Sequence, residues 1–546
     1  MRGERSAGAG VRSCAHWLRQ RLRASQDAWC GSRLATITAF DATSTTLTGA
    51  LRHAAQAHPQ PAAYLDGERR LRFGELLASS AQLAGGLRAL GLVRGERIAV
   101  LAYNQIEWLQ LFFAAAQIGV AVVALSPRYR DAEIAHMLED SQARAVFTVP
   151  RIDDFDALAM CQRIAGRQPR AVSVVAIGSE HFTALLQAAP LDGDAADADD
   201  LAMVIYTSGT TGRPKGCALT HASLLASARA QSRHTRIEPG ELVQLANPLN
   251  HVGGITCGIL AQLLAGGRCE LVREFKAKTV LDMARRHPPA LLVGVPTMLT
   301  LLLMHPESES VDLGSVRLVV TGGSNVDATL LSRLQQRMPG AALMNLYGLS
   351  EASGALVMTP WDYGDEDLMQ SIGQVLPGAQ VRVVGSDGQV LPPGMVGELQ
   401  FHGLGVVRDY IGAAAGGGSF ADGWLRTGDL GLVDARGFIV LKGRMKDMYI
   451  QGGFNVYPAE VEALIATHPE VAMVAGIGVP DAVLGEVGRY YVVPREGSAL
   501  TAEQLHAHCA GRIADYKMPR QFVLRDALPL TPAGKIQKAQ LRAELP

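Results

Sequence analysis

From Thr48 onward the apolar positions follow two alternating patterns. Segments 51–58 and 73–90 carry Leu and Ala at helical spacing, and Gly91 supplies a stop signal. Segments 97–101, 121–125, 145–149 and 172–177 are short, continuously apolar runs, which predict buried strands with helices between them. Strands alternating with helices predict parallel sheets covered on both faces. An acidic, small-residue stretch at 192–200 predicts an exposed connector. The βα rhythm then resumes, with strands expected at 201–206, 242–245, 290–295, 316–320 and 342–346. After Gly378 the pattern changes to short strands at 381–384, 397–401 and 437–441, separated by Gly, Pro and Asp. Residues 458–546 predict a last α+β region.

Segment 108–125 has the length of a membrane span, but Gln110, Gln117 and Gly119 interrupt it and a β-branched run closes it. It predicts a buried helix followed by a buried strand. With 48% hydrophobic and 19% charged residues in 546, the chain has ample material for large cores, which excludes a disordered protein. Lys and Arg number 51 against 52 Asp and Glu, so no excess of positive charge points to nucleic acid. The 7 cysteines are scattered, without zinc spacing, and read as buried hydrophobes of a reducing compartment. A cytoplasmic location is expected, with peripheral membrane contact left open and no signal of oligomeric state. Residues 1–33 hold Arg at 2, 5, 12, 19, 21, 23 and 33 and no apolar stretch of signal-peptide length. A solvated basic tail, an upstream start and a transit peptide are the readings of it, the first two favoured; residues 1–45 are expected to be a disordered extension.

The strongest local signal is the run 206–216, YTSGTTGRPKG. Its glycines let backbone N–H groups approach an anion, and its hydroxyls and Lys215 add donors. Gly216 after Lys215 excludes a Walker A loop. This run resembles the phosphate loop of the adenylate-forming superfamily, and the superfamily's other motifs follow in order. NLYGLSE at 345–351 resembles NxYGxTE, with Ser350 for Thr; WLRTGD at 424–429, GRMKD at 443–447 and LPLTPAGKI at 528–536 match the remaining three. The resemblance covers about residues 48 to 545.

The resemblance implies a fold and a set of roles. The fold class is α/β: a large domain of βα-wound sheets at 46–444 with a β-rich subdomain at about 378–444, then a small mobile α+β domain at 445–546. Thr207, Ser208, Gly209, Thr210, Thr211 and Lys215 would hold the β- and γ-phosphates of ATP. Glu351 would carry Mg²⁺, with Ser350 reaching phosphate, since one carboxylate plus phosphates and waters suits that ion. Tyr347, Gly322, Gly323 and Ser324 would line the adenine side, Asp429 and Arg444 the ribose side, and Asn345 and Gly348 would also bind ATP or AMP. Lys535 would offset charge between the acyl carboxylate and the α-phosphate. His251, in NPLNHVGG at 247–254, would gate the acyl site; Lys446 would be the hinge, and Gly453 would line the path of CoA.

The implied activity is ATP-dependent activation of a small-molecule carboxylic acid, fatty or otherwise apolar, and transfer to CoA with release of AMP and pyrophosphate. ATP, Mg²⁺ and CoA are the expected cofactors and co-substrates. The rivals are a stand-alone adenylation enzyme loading a carrier protein, a luciferase-like oxidase and a non-catalytic nucleotide-binding protein. The last would be expected to lack Lys535 or Glu351, and both are present.

Overall fold

The computed structural model describes residues 44–60, 62–207, 214–323, 328–416, 418–530 and 536–545. The basic N-terminal stretch, Ser208–Thr211 of the phosphate loop, Ser324 and Lys535 lie outside the described residues.

Two large sheets carry the first part of the chain. The six-stranded one runs Ser173–Ala176, Ala145–Thr148, Arg97–Leu101, Ala121–Leu125 and Leu201–Thr207 in parallel, with Lys215–Thr220 antiparallel at the edge. The nine-stranded one has a parallel centre, Arg268–Leu271, Leu242–Leu245, Leu291–Gly294, Leu318–Gly322 and Ala342–Leu349. Gly354–Met358 and Gln374–Val375 add antiparallel strands at one edge. Tyr64–Asp66, parallel to Arg268–Leu271, and Arg69–Leu71 close the other. The Val- and Leu-rich runs take these positions because a parallel strand covered on both faces has no solvent side on which to alternate.

The helix Ile106–Gln117 shows the same logic. Apart from Glu107 its residues are buried all round, as a helix enclosed by protein requires. It ends at Ile118, Gly119 turns the chain at φ +69°, and Ala121–Leu125 follows as a strand. The span-length apolar stretch is therefore a helix and a strand. Among the described residues no helix is long and apolar enough to cross a membrane.

After Gly378 the chain builds a five-stranded sheet from Ala379–Val384, Gly397–Gly403, Phe420–Ala421, Trp424–Val433 and Ile439–Arg444. Val383, Leu399, Phe401 and Ile439 form its core with Ala352, Leu356 and Val357. A last five-stranded sheet, dominated by the hairpin Val471–Asp481 and Gly485–Pro494, has separate cores around Tyr449, Val461 and Tyr490 and around Ala475, Ile477 and Leu541.

One feature departs from the expected pattern. The run Ile255–Leu260 is a π-helix, fully buried, joined directly to the short helix Val252–Gly254. The acidic stretch 192–200, expected to be an exposed connector, is exposed or half-buried apart from Ala196, and Arg94 pairs with both Asp197 and Asp200.

Candidate active site

Thr207, Gly322, Tyr347 and Gly348 stand at the carboxyl ends of parallel strands, where open α/β sheets bind ligands. Thr207 ends its strand and faces Lys215 across the antiparallel register, so the phosphate loop is closed at its base by paired strands. Gly322 ends Leu318–Gly322 beside Leu346; a Cβ there would lie 2.0 Å from the Leu346 carbonyl oxygen, so only glycine fits. Gly323 follows with φ +84°. Tyr347 and Gly348 lie on the next strand, Ala342–Leu349, and the turn Ser350–Ala352 leaves its end with Ser350 buried and Glu351 half-buried.

Glu351 joins the two sheets. Its Oε1 accepts a hydrogen bond from Tyr410 Oη at 2.9 Å and a weaker one from Thr207 Oγ1 at 3.4 Å. Lys215 Nζ stands 5.3 Å from the centroid of the Tyr410 ring. Cys217 is buried against the same group; burial first, then the Glu351 charge, pushes its thiol well above the usual range, leaving it neutral.

A second cluster links the nine-stranded sheet to the β-rich one. Tyr347 Oη donates to Asp429 Oδ2 at 2.6 Å, and Arg444 Nε pairs with Asp429 Oδ1 at 2.8 Å. Asp429 and Arg444 face each other in the strand register, which aims both side chains at one point. Desolvation, then the Asp429 carboxylate, holds the Tyr347 phenol well above its ordinary pKa, so it stays a donor.

His251 is the N-cap of Val252–Gly254, its Nδ1 accepting from Gly253 N at 3.0 Å. The following π-helix reaches Gly354, where a Cβ would come within 3.3 Å of both Cys257 Sγ and Thr256 Cγ2. The His251 segment thus lies next to the strand that follows Glu351. Asn345, expected to bind ATP or AMP, has its amide turned to the Leu368 and Ser371 carbonyls at 2.8 and 3.0 Å, so its donors hold a loop. Lys446 is exposed; its carbonyl and Asp447 both receive Arg542, at 3.3 and 2.8 Å. Gly453 is exposed at φ +86°, with open space where a Cβ would stand. The arms of the loop that carries Lys535 meet in an antiparallel bridge between Leu530 and Ile536.

The AMP-binding enzyme family matches residues 51–411, and the AMP-binding enzyme C-terminal domain matches 460–535. The chain belongs to the AMP-binding enzyme family. It is similar to a feruloyl-CoA synthase of Amycolatopsis sp, 36% identical over 89% of this chain and 96% of that one. Its fold is similar to ATP-bound MatB from Rhodopseudomonas palustris, TM-score 0.81 and 30% identity over 90% and 98% of the two chains. It is also similar to o-succinylbenzoate CoA synthetase of Bacillus subtilis in complex with ATP and magnesium ion, TM-score 0.78 and 29% identity over 90% and 99%. As a member of this family the chain is an AMP-forming acid–CoA ligase, using ATP and CoA and acting through an acyl-adenylate.

The donor set fits the family's Mg²⁺. Among the described residues no group of three or more His, Cys, Asp or Glu could hold a metal alone. A single carboxylate with phosphate oxygens and water suits Mg²⁺, and Glu351 offers one, with Oε1 already held by hydroxyls. Sequence reasoning missed two residues around the site. Tyr410 carries no motif of its own, and Asn104, which fixes the loop before His251, lies 141 to 168 residues from the groups it binds.

Proposed function

We propose that the acid is an aryl or arylalkanoic acid, and that the two half-reactions use the residues assigned by motif. The observation that supports the adenylation site is that Glu351, bonded by Thr207 and Tyr410, follows directly on the strand Ala342–Leu349, which carries Tyr347 with its Asp429–Arg444 partners. An uncharged acyl tail is supported by Val252–Leu260, the run behind His251, which contains no charged side chain and is buried except for Gly253. The aromatic acids in the names of two similar proteins favour a ring over the fatty chain expected from motif style.

In the first half-reaction the acid carboxylate attacks the α-phosphorus of ATP and pyrophosphate leaves. Thr207, Lys215 and residues 208–211 bind the β- and γ-phosphates, and Glu351 would hold the Mg²⁺, which would offset their charge. Asp429 and Arg444 orient the ribose, and Tyr347 lies against the adenine. Lys535, outside the described residues, neutralises charge at the α-phosphate. The region 445–546 then turns about Lys446, bringing Gly453 to the CoA path, and the thiolate attacks the acyl carbonyl as AMP leaves.

A panel of benzoic, cinnamic, phenylacetic and straight-chain fatty acids, supplied with ATP, Mg²⁺ and CoA, tests this. AMP, pyrophosphate and an aryl-CoA are expected. ADP and phosphate would sink the half-reactions, whereas a higher kcat/KM for fatty acids would overturn only the choice of acid.

A further inference from the structure

Tyr410 lies outside every motif that predicted the site, yet its chain segment runs between the two elements that carry it. Val407 N donates to the Glu351 carbonyl at 2.9 Å, and Ile411 N donates to the Gly216 carbonyl at 2.8 Å. Tyr410 itself forms an antiparallel bridge with Cys217, on the strand that leaves the phosphate loop. The backbone is therefore fixed on both sides of the phenol. The side chain is 8% exposed, with Phe420 edge-on at 5.3 Å. Its hydroxyl and that of Thr207 both engage Oε1 of Glu351, so neither occupies Oε2.

We propose that Tyr410 is a positioning residue for metal-bound ATP: its hydroxyl ties one oxygen of Glu351, presenting the other to Mg²⁺, while its ring seats Lys215. This rests on the reading of Glu351 as the Mg²⁺ ligand. A free glutamate samples several rotamers, and binding a metal through it loses that freedom. A carboxylate held in advance by a phenol loses less, and a neutral donor leaves the group's net negative charge intact. Outer partners of this kind typically account for about 10–100-fold in metal affinity.

The test is calorimetric binding of ATP with Mg²⁺ present and with EDTA, on the full chain. Tyr410→Phe keeps the ring, and so the Lys215 and Phe420 contacts, and removes only the hydroxyl. It should weaken ATP binding with Mg²⁺ by about tenfold or more and leave binding in EDTA unchanged. Glu351→Gln should abolish the Mg²⁺ enhancement, and Tyr410→Phe added to it should change nothing further. If Glu351→Gln keeps the wild-type Mg²⁺ enhancement, the metal-ligand reading fails and this inference with it. If Glu351→Gln loses the enhancement and Tyr410→Phe keeps it, the inference alone is overturned. An equal loss with and without Mg²⁺ in Tyr410→Phe would also overturn it, because the phenol would then act on the fold or on Lys215. A matched thermal midpoint in Tyr410→Phe would exclude unfolding as the cause of any change.

Discussion

Replacing Asn104 tests whether the loop before His251 is held by one polar joint. Asn104 is 4% exposed, just past the strand Arg97–Leu101. Its Nδ2 donates to the carbonyls of Leu245, Asn247 and Val272 at 3.3, 3.0 and 3.1 Å, and its Oδ1 accepts from Leu249 N at 2.9 Å. Two amide hydrogens thus serve three acceptors, one of them shared. In Asn104→Ala the Leu245 carbonyl keeps the bond from Val272 N at 3.1 Å. The Leu249 N–H, on a residue 1% exposed, loses its acceptor, and the other two carbonyls lose this donor. One orphaned buried donor costs about 1–3 kcal/mol, and the carbonyls add less, so about 2–4 kcal/mol is expected. Asn104→Asp changes almost no volume and keeps the acceptor for Leu249, yet points carboxylate oxygens at carbonyls. Near neutral pH it should cost at least as much, and the loss should ease as the carboxyl takes up a proton. Urea unfolding followed by the emission of buried Trp108 reads both variants, and the KM for the acid should rise because the loop leads to His251. If both variants stay within about 1 kcal/mol of wild type with an unchanged KM, the joint does not hold the loop.

Other outcomes follow from the same geometry. His221 is fully buried, and burial, partly opposed by Asp194 and Asp200, lowers its pKa from 6.5 to about 4. Below pH 6.5 the unfolded chain takes up a proton that the folded chain refuses until about pH 4. Stability should therefore fall across that window by about 3 kcal/mol, at about 1.36 kcal/mol per pH unit. His221→Asn, which can still accept from Leu47 N, should flatten that limb of a thermal-midpoint profile; an unchanged limb would place the titration elsewhere. Tyr347→Phe removes a 2.6 Å bond to a carboxylate and should weaken AMP binding by about tenfold or more, with or without Mg²⁺. Lys535→Ala should depress acid-dependent pyrophosphate exchange and spare thioester formation from preformed acyl-AMP, and Gly453→Leu should do the reverse. Equal damage to both steps in both variants would remove the support for alternating use of the two faces.

Much of the architecture is legible in the chain because buried parallel strands are locally distinct. The run 242–245 is a strand with those bounds, and 97–101 and 121–125 likewise. The π-helix was not legible: ITCGIL is apolar at every position, so it has no period from which to choose a helix type. The adenylate-site motifs were legible because each is contiguous. Tyr410 and Asn104 were not, because what they do depends on partners 59 and 141 to 168 residues away. At Asn345 the motif does not show that its amide donors are engaged by main-chain carbonyls 23 and 26 residues on.

The engagement of Asp429 has a thermodynamic consequence. Each of its oxygens already has one protein partner, Arg444 on Oδ1 and Tyr347 on Oδ2, and each retains a lone pair. On the ribose-binding role proposed above, a sugar hydroxyl would meet an acceptor whose direction is set before contact, on a residue 4% exposed and so already stripped of most of its water. Dehydration and alignment of this carboxylate are thus charged to folding rather than to each catalytic cycle. On that role, nucleotide exchange at this end of the site would require only that the hydroxyls come and go, and the acceptor would be ready for the next ATP as soon as AMP had left.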